Sequence, residues 1–335
     1  MRVLHVTPAA PEPEAIALAM RVLHDGGLVA FPTETVYGLG ANALDEAAVR
    51  RIFDAKERPG NNPLIAHVPD IQSAQALVAN WPATAGMLAE RFWPGPLTLV
   101  LPKRPVVPDL VTAGLPAVAV RVPSHPVALA LLRAAGLPIA APSANRFTEL
   151  SPTTAEHVVR SLGDRVDIVL DGGPTTVGIE STVLDLTGPV PRLLRPGMVT
   201  LAELEHAIGP IAPPPSVTGS APRLSPGMHE RHYAPRARLV VVTPGEVEEE
   251  AARAGGNVVG ALVLGDLLWP VQHPLHMPRD PVAYASRLYA ALHALDDLGC
   301  HVILVERPPD EAPWLGVHDR LQRAATPASS PTQDR

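Results

Sequence analysis

The chain has few of the residues that mark the commoner metal and redox chemistries. Among 335 residues there is one cysteine, Cys300. It cannot form an intrachain disulfide, and cysteine-cluster zinc sites are excluded with it. In "LGCHVILV" it reads as a small buried residue at a strand start. No apolar run approaches the ~18 residues of a membrane span. The N-terminus, "MRVLHVTPAAPEPEAI", has neither an uninterrupted apolar core nor a small-residue cleavage site, so a cytoplasmic location without membrane contact is expected. Positive charge is not in surplus either. The net formal charge of −7 argues against a nucleic-acid coat, and any polyanion must be met by a local cluster of cations. No G-x-G-x-x-G, G-x-S-x-G or H-E-x-x-H occurs, and "GPTTVG" lacks the Lys-Ser/Thr that completes a phosphate loop. In "HERHY", His229 and His232 lie three apart with no third metal ligand in view, so the metal ligands are unknown at this stage.

What is present is an α/β pattern. With 46% hydrophobic and 18% charged residues, the composition is that of a globular protein long enough for two domains. Apolar runs at 2–6, 28–31, 63–68, 97–101, 117–122, 138–141, 167–171, 181–186 and 191–195 read as strands. Amphipathic stretches at 14–24, 45–56, 70–79, 84–92, 125–135, 153–162 and 200–208 read as helices, with Asp45 as an N-cap. Strands split unevenly by helices predict a mixed sheet in an α/β domain over residues 1–209. Residues 210–236 are rich in Pro, Gly and Ser and read as a linker. A second strand–helix alternation over 237–325 predicts a smaller α/β domain, and 326–335 a disordered tail.

Six polar islands sit at strand ends. "PTETVYG" holds Thr33, Thr35 and Tyr37 and is either a hydroxyl-stabilised turn or the wall of a pocket. "KERPGNNPLIAHV" holds Lys56 and Arg58, either solvated charges at a helix C-terminus or ligand-binding cations, with Asn62 and His67 close by. Arg121 lies in an apolar strand and needs an anionic partner, either an internal carboxylate or one on a ligand. "APSANRFTELSPT" contributes Ser143, Asn145 and Ser151, the last also resembling a helix N-cap. "DGGPTTVGIESTV" offers glycines for close backbone approach to a ligand, followed by Ser181, and "RLLRPG" ends in Arg195. Cations, short hydroxyls and backbone amides without an activated nucleophile suit a nucleoside triphosphate beside a zwitterion, where catalysis is positioning and charge neutralisation.

The order and spacing of "FPTETVYGLG", "KERPGNNPLIAHV", "WPGPLTLVL", "VAVRVP", "APSAN", "GIESTV" and "LLRPG" resemble the YrdC-like domain. With "SPGMHERHYAP" and a second domain added, the chain is similar to the two-domain threonylcarbamoyladenylate synthases. The resemblance implies a twisted, mixed open sheet with helices, followed by a smaller Rossmann-like domain. It implies a nucleotidyltransferase that joins L-threonine, bicarbonate and ATP into threonylcarbamoyl-AMP and pyrophosphate, supplying the machinery that modifies tRNA adenosine. Mg²⁺ is implied as the companion of ATP. By the same resemblance Thr33, Thr35, His67, Arg121, Ala141 and Ser181 hold L-threonine. Lys56, Arg58, Asn62, Ala117, Ser143, Asn145, Ser151, Arg195 and Tyr233 hold ATP, with Lys56 and Arg58 acting in catalysis. His232 and Tyr233 form a lid, the alternative being an aromatic packed between domains. Ala117 stands where the family often has a hydroxyl, and "RFTEL" lacks the family's usual Ser-Gly. Two rivals remain: an RNA-binding module with a weak tRNA contact, and the carbamoyltransferase type of YrdC protein, whose zinc fingers one cysteine cannot supply.

Overall fold

The computed structural model describes residues 1–213, 232–243, 246–265 and 271–325. Most of the expected linker, with His229, and the expected tail lie outside them. Ten strands form the first sheet: β1 (Arg2–His5), β2 (Val29–Pro32), β3 (Tyr37–Asn42), β4 (Ile65–His67), β5 (Leu97–Pro102), β6 (Ala117–Arg121), β7 (Ile139–Ala140), β8 (Ile168–Asp171), β9 (Thr182–Asp185) and β10 (Arg192–Arg195). Their order is β1-β8-β2-β3-β7-β4-β6-β5-β9-β10, with parallel and antiparallel neighbours mixed. Around it run α1 (Pro13–His24), α2 (Glu46–Lys56), α3 (Ile71–Gln75), α4 (Ala83–Phe92), α5 (Asp109–Thr112), α6 (Pro126–Ala135), α7 (Ala155–Leu162) and α8 (Leu201–Ile208). Strand alternation feeds a core on each face. Val29, Phe31, Ile168 and Leu170 pack with α1 and α6, whereas Ala30 and Val169 turn toward α2 and α7.

A second sheet, β11 (Arg238–Val242), β12 (Val259–Val263), β13 (His273–His276) and β14 (Val302–Glu306), is parallel in the order β11-β14-β12-β13. It is accompanied by α9 (Val247–Arg253), α10 (Pro281–Asp297) and α11 (Leu315–Ala324). Helix α10 buries Tyr284, Leu288, Leu292 and Leu295, a stripe at helical spacing. The core it enters also contains Val36, Leu150 and Ile179 of the first unit and Tyr233 of the connecting segment. The two units therefore share apolar packing.

Three elements escape the sequence pattern. β3 contains Gly38 and Gly40, poor strand formers in isolation. A Cβ on Gly40 would lie 2.7 Å from Phe31 and 2.8 Å from Ile139, so glycine is what lets the layers close. β13 carries Pro274 and is tolerated because it is an edge strand. α5 has four residues, too few for a period. The membrane reading has one structural counterpart: no described helix is long and apolar enough to cross a bilayer.

Candidate functional site

The strand ends converge on one cleft. Its walls include Thr33, Thr35, Arg58, His67, Arg121, Ala141, Ser143, Ser181, Arg195, His232 and Tyr233, all expected from the sequence, together with Val36, Ile65 and Glu180.

The β2–β3 hairpin makes the first wall. Thr33 Oγ1 donates to Val36 O at 2.6 Å and accepts from the Thr35 and Val36 amides, so its hydroxyl shapes the turn while the residue still faces the cleft. Thr35 Oγ1 accepts from Arg121 at 3.0 Å. Arg121 has an internal partner: Glu34 Oε1 lies 2.7 Å from its Nη2, and its Nε donates to Gly95 O. Glu34 in turn accepts from the Ser124 amide, which fixes the carboxylate. Hydrogen bonds use two of the five guanidinium N–H groups, one at Nε and one at Nη1, while Nη2 meets Glu34 as an ion pair without hydrogen-bond geometry. His67, paired in register with Arg121, is buried and neutral. Burial first, and Arg121 second, lower its pKa to about 3. Its Nδ1 lies 3.3 Å from Ile65 O, a carbonyl, which assigns the proton to that nitrogen. The Ala141 amide donates to Ile65 O as well, leaving its carbonyl as the polar backbone group of that wall.

The opposite wall is cationic. α2 begins at Asp45, whose carboxylate accepts from the Ala47 and Ala48 amides, and stops at Glu57 in the left-handed region at φ 54°. That stop turns Arg58 inward, where it is 7% exposed, so the reading as a solvated helix end is corrected. Burial pushes its pKa below the usual guanidinium range. Lys56, 1% exposed, does not line the cleft. Its Nζ donates to Ser143 O at 2.5 Å and to Asn145 O, bracing that loop, and burial drives its pKa well down. Arg195 donates from Nε to Ser181 O at 3.0 Å and from Nη2 to Ser181 Oγ at 3.1 Å, and its Nη1 is 3.5 Å from the Tyr233 hydroxyl. Ser181 Oγ also meets Thr98 at 2.8 Å. Tyr233, buried at φ 60°, sits between units. The His232 amide donates to Arg323 O, and the Ala234 amide to Thr148 O.

Other expected residues stand behind the walls. Asn62 is fully buried with neither side-chain amide atom hydrogen-bonded, and Asn145 has an unpaired Oδ1. Ser151 is not a helix cap. Thr154 caps α7, while Ser151 Oγ donates to Glu180 at 2.5 Å. Ala117 lies four residues from Arg121 at the far end of β6, roughly 13 Å along the strand, and does not line the cleft. Gly172 and Gly173 do not line it either. A Cβ on Gly172 would press on Pro32 and His125, and Gly173 O accepts from Tyr37, so protein packing rather than ligand approach explains this pair. Glu34 and Glu180 were missed. Each is a lone carboxylate flanked by substrate-type residues, and the reasoning that singled out Arg121 applies equally to them.

A cleft walled by strand ends of a mixed sheet, rimmed by buried guanidinium groups and bordered by His232 and Tyr233 of the segment leading to a second α/β unit, defines a two-unit YrdC-type enzyme. A family model described as telomere recombination matches residues 21–197, and one described as the C-terminal domain of threonylcarbamoyl-AMP synthase matches 199–326. The threonylcarbamoyl-AMP synthase of Pyrococcus abyssi (strain GE5 / Orsay) is 45% identical over 320 residues, spanning 92% of this chain and 94% of its own. That of Bacillus subtilis (strain 168) is 43% identical over 92% of each. The crystal structure of P. abyssi Sua5 complexed with L-threonine superposes with a TM-score of 0.92 at 42% identity, covering 97% of this chain and 98% of that one. The chain belongs to the threonylcarbamoyl-AMP synthase family.

Proposed function

We propose that this cleft joins L-threonine, bicarbonate and ATP into threonylcarbamoyl-AMP and pyrophosphate. The observation that carries the reading is the convergence of Thr35, His67, Arg121, Ser181, Arg58 and Arg195 on one chamber. The threonine complex of the P. abyssi relative supports the amino-acid half.

On this reading the Arg121 guanidinium clamps the threonine carboxylate, and Thr35, Ser181 and the Ala141 carbonyl meet its hydroxyl and amine. The deprotonated amine attacks the carbon of bicarbonate, water leaves, and a carbamate forms. A carbamate oxygen then attacks the α-phosphorus as pyrophosphate departs. Arg58 and Arg195 neutralise the charge that builds on the phosphates. Lys56 acts at one remove, holding the Ser143–Asn145 loop against the nucleotide, and the unpaired amide of Asn62 and the Oδ1 of Asn145 supply polar contacts for it. No three or more His, Cys, Asp or Glu side chains are grouped to hold a metal ion among the described residues. The protein donor set therefore does not fit a metal held by side chains alone, and Mg²⁺ would arrive on the phosphates of ATP with water as its other ligand. His232 and Tyr233 close the chamber, keeping water from the carbamate and the mixed anhydride. Residues 1–209 are the catalytic unit, 210–236 the lid-bearing link and 237–325 the second unit. The product, labile in water, is consumed by transfer to tRNA.

Pyrophosphate release tests the reading. Full rate is expected only with ATP, L-threonine and bicarbonate together. Release that ignores threonine, or salt-sensitive tRNA binding without any ATP turnover, would overturn it.

A further inference from the structure

Glu180 is a carboxylate in the wall of a chamber proposed to receive a polyanion, and its charge is balanced from the other unit. Arg320, on α11, has a side chain with no exposure. Its Nε lies 2.7 Å from Glu180 Oε2, its Nη2 donates to Glu180 O at 3.1 Å, and its Nη1 donates to Pro196 O at 2.9 Å. Ser151 Oγ and the Tyr289 hydroxyl also donate to the carboxylate, at 2.5 and 3.1 Å. The guanidinium also lies 5.4 Å from the Tyr233 ring centre. Asp319, the other anion beside Arg320, has Arg323 at 2.9 Å as a partner of its own. One side chain of the second unit thus holds both ends of the wall segment that runs from Glu180 to Pro196, and this segment includes Ser181 and Arg195.

We infer that Arg320 is a positioning residue for the nucleotide half of the chamber: by neutralising Glu180 it keeps Arg195 on Ser181 and Tyr233, facing the phosphates. Without Arg320, the other wall cation whose charge acts on Glu180 is Arg195, and a guanidinium drawn to an internal carboxylate is lost to the substrate. The second unit is then a working part of the ATP site rather than an appendage. This inference rests on the proposed function, because it needs ATP at the Arg195 end.

The test uses the full chain and three proteins: the parent, Arg320→Met, and Glu180→Gln with Arg320→Met. Arg320→Met is expected to raise KM for ATP about tenfold or more, because a buried carboxylate is left without its partner. KM for L-threonine is expected to rise by less than KM for ATP, since the Arg121 clamp is untouched and Ser181 is the one threonine contact in the segment that Arg320 holds. The double variant, with both charges removed, is expected to return KM for ATP to within about threefold of the parent. A residue that merely glued the units together would move both KM values and the melting temperature in step, and that result would overturn the inference. So would an unchanged ATP KM in a folded Arg320→Met protein. If Arg320→Met does not fold, the double variant decides: a parent-like ATP KM supports the inference and a tenfold rise refutes it. Titration calorimetry with ATP reads the same differences without turnover. A parent that binds ATP but releases no pyrophosphate would therefore sink only the reaction.

Discussion

Glu34 shows how a single carboxylate tunes a substrate clamp. It lies 2.7 Å from Arg121 and is 4% exposed, so the pair is desolvated and tightly coupled. Glu34→Gln keeps the shape but leaves a buried cation, for which a loss of about 3 kcal/mol is expected in urea unfolding. Glu34 also competes with the substrate carboxylate for the same guanidinium. KM for L-threonine in the variant is therefore expected to fall while stability falls, and a rise in KM would contradict the clamp assigned to Arg121. At this scale the sequence identified the cations and hydroxyls, because a charge or a cluster of hydroxyls in an apolar strand stands out. It did not show which of them were already committed. Lys56 looked like a phosphate ligand until the carbonyls of Ser143 and Asn145 were found on it, and those lie 87 and 89 residues away in the chain.

At the scale of elements, α2 is the lever that places Arg58. Its start and its stop are both local: Asp45 caps the first turn, and the left-handed Glu57 redirects the chain. Asp45→Ala is expected to cost about 1 kcal/mol of stability, with a smaller rise in KM for ATP as the far end of the helix frays. Chemical denaturation and initial rates measure the two effects, and a stability unchanged within error would show that the cap is redundant. Most helices and strands were legible because periodicity and caps are local signals. β3 was not, because two glycines hide a strand whose reason is the close approach of Phe31 and Ile139. β13 was not, because a short edge strand with proline has no sequence signature. The Ser151 cap failed for a different reason: a serine near a helix start is common, and its pairing with Glu180 is a tertiary contact.

For the whole molecule, the seam between the units is marked by a pair of half-buried histidines. His157 of α7 stacks on His293 of α10 with ring centres 3.8 Å apart, and burial followed by His293 lowers the His157 pKa to about 3. His67 is lowered to about 3 as well. Both are neutral in the fold and take up a proton on unfolding below their ordinary value of 6.5. The unfolded chain binds more protons in that window, so stability is full above about pH 6.5 and declines as pH falls toward 3. Scanning calorimetry is expected to give a lower melting temperature at about pH 5 than at about pH 7.5. A flat profile over that range would rule out neutral histidines at both places. The seam itself was not legible from the sequence, because the expected boundary at residue 237 says nothing about Val36, Leu150 and Ile179 entering the core of the second unit.

The ion pair across that seam also bears on how the protein is made. Glu180 precedes its counter-ion by 140 residues. At ordinary elongation speeds of ~5–20 residues per second, a nascent chain carries that carboxylate without Arg320 for roughly 7 to 28 seconds. Until α11 emerges, the chamber wall carries Glu180 without its partner from the second unit. The counter-ion that completes this wall is thus among the last residues of the enzyme to be made.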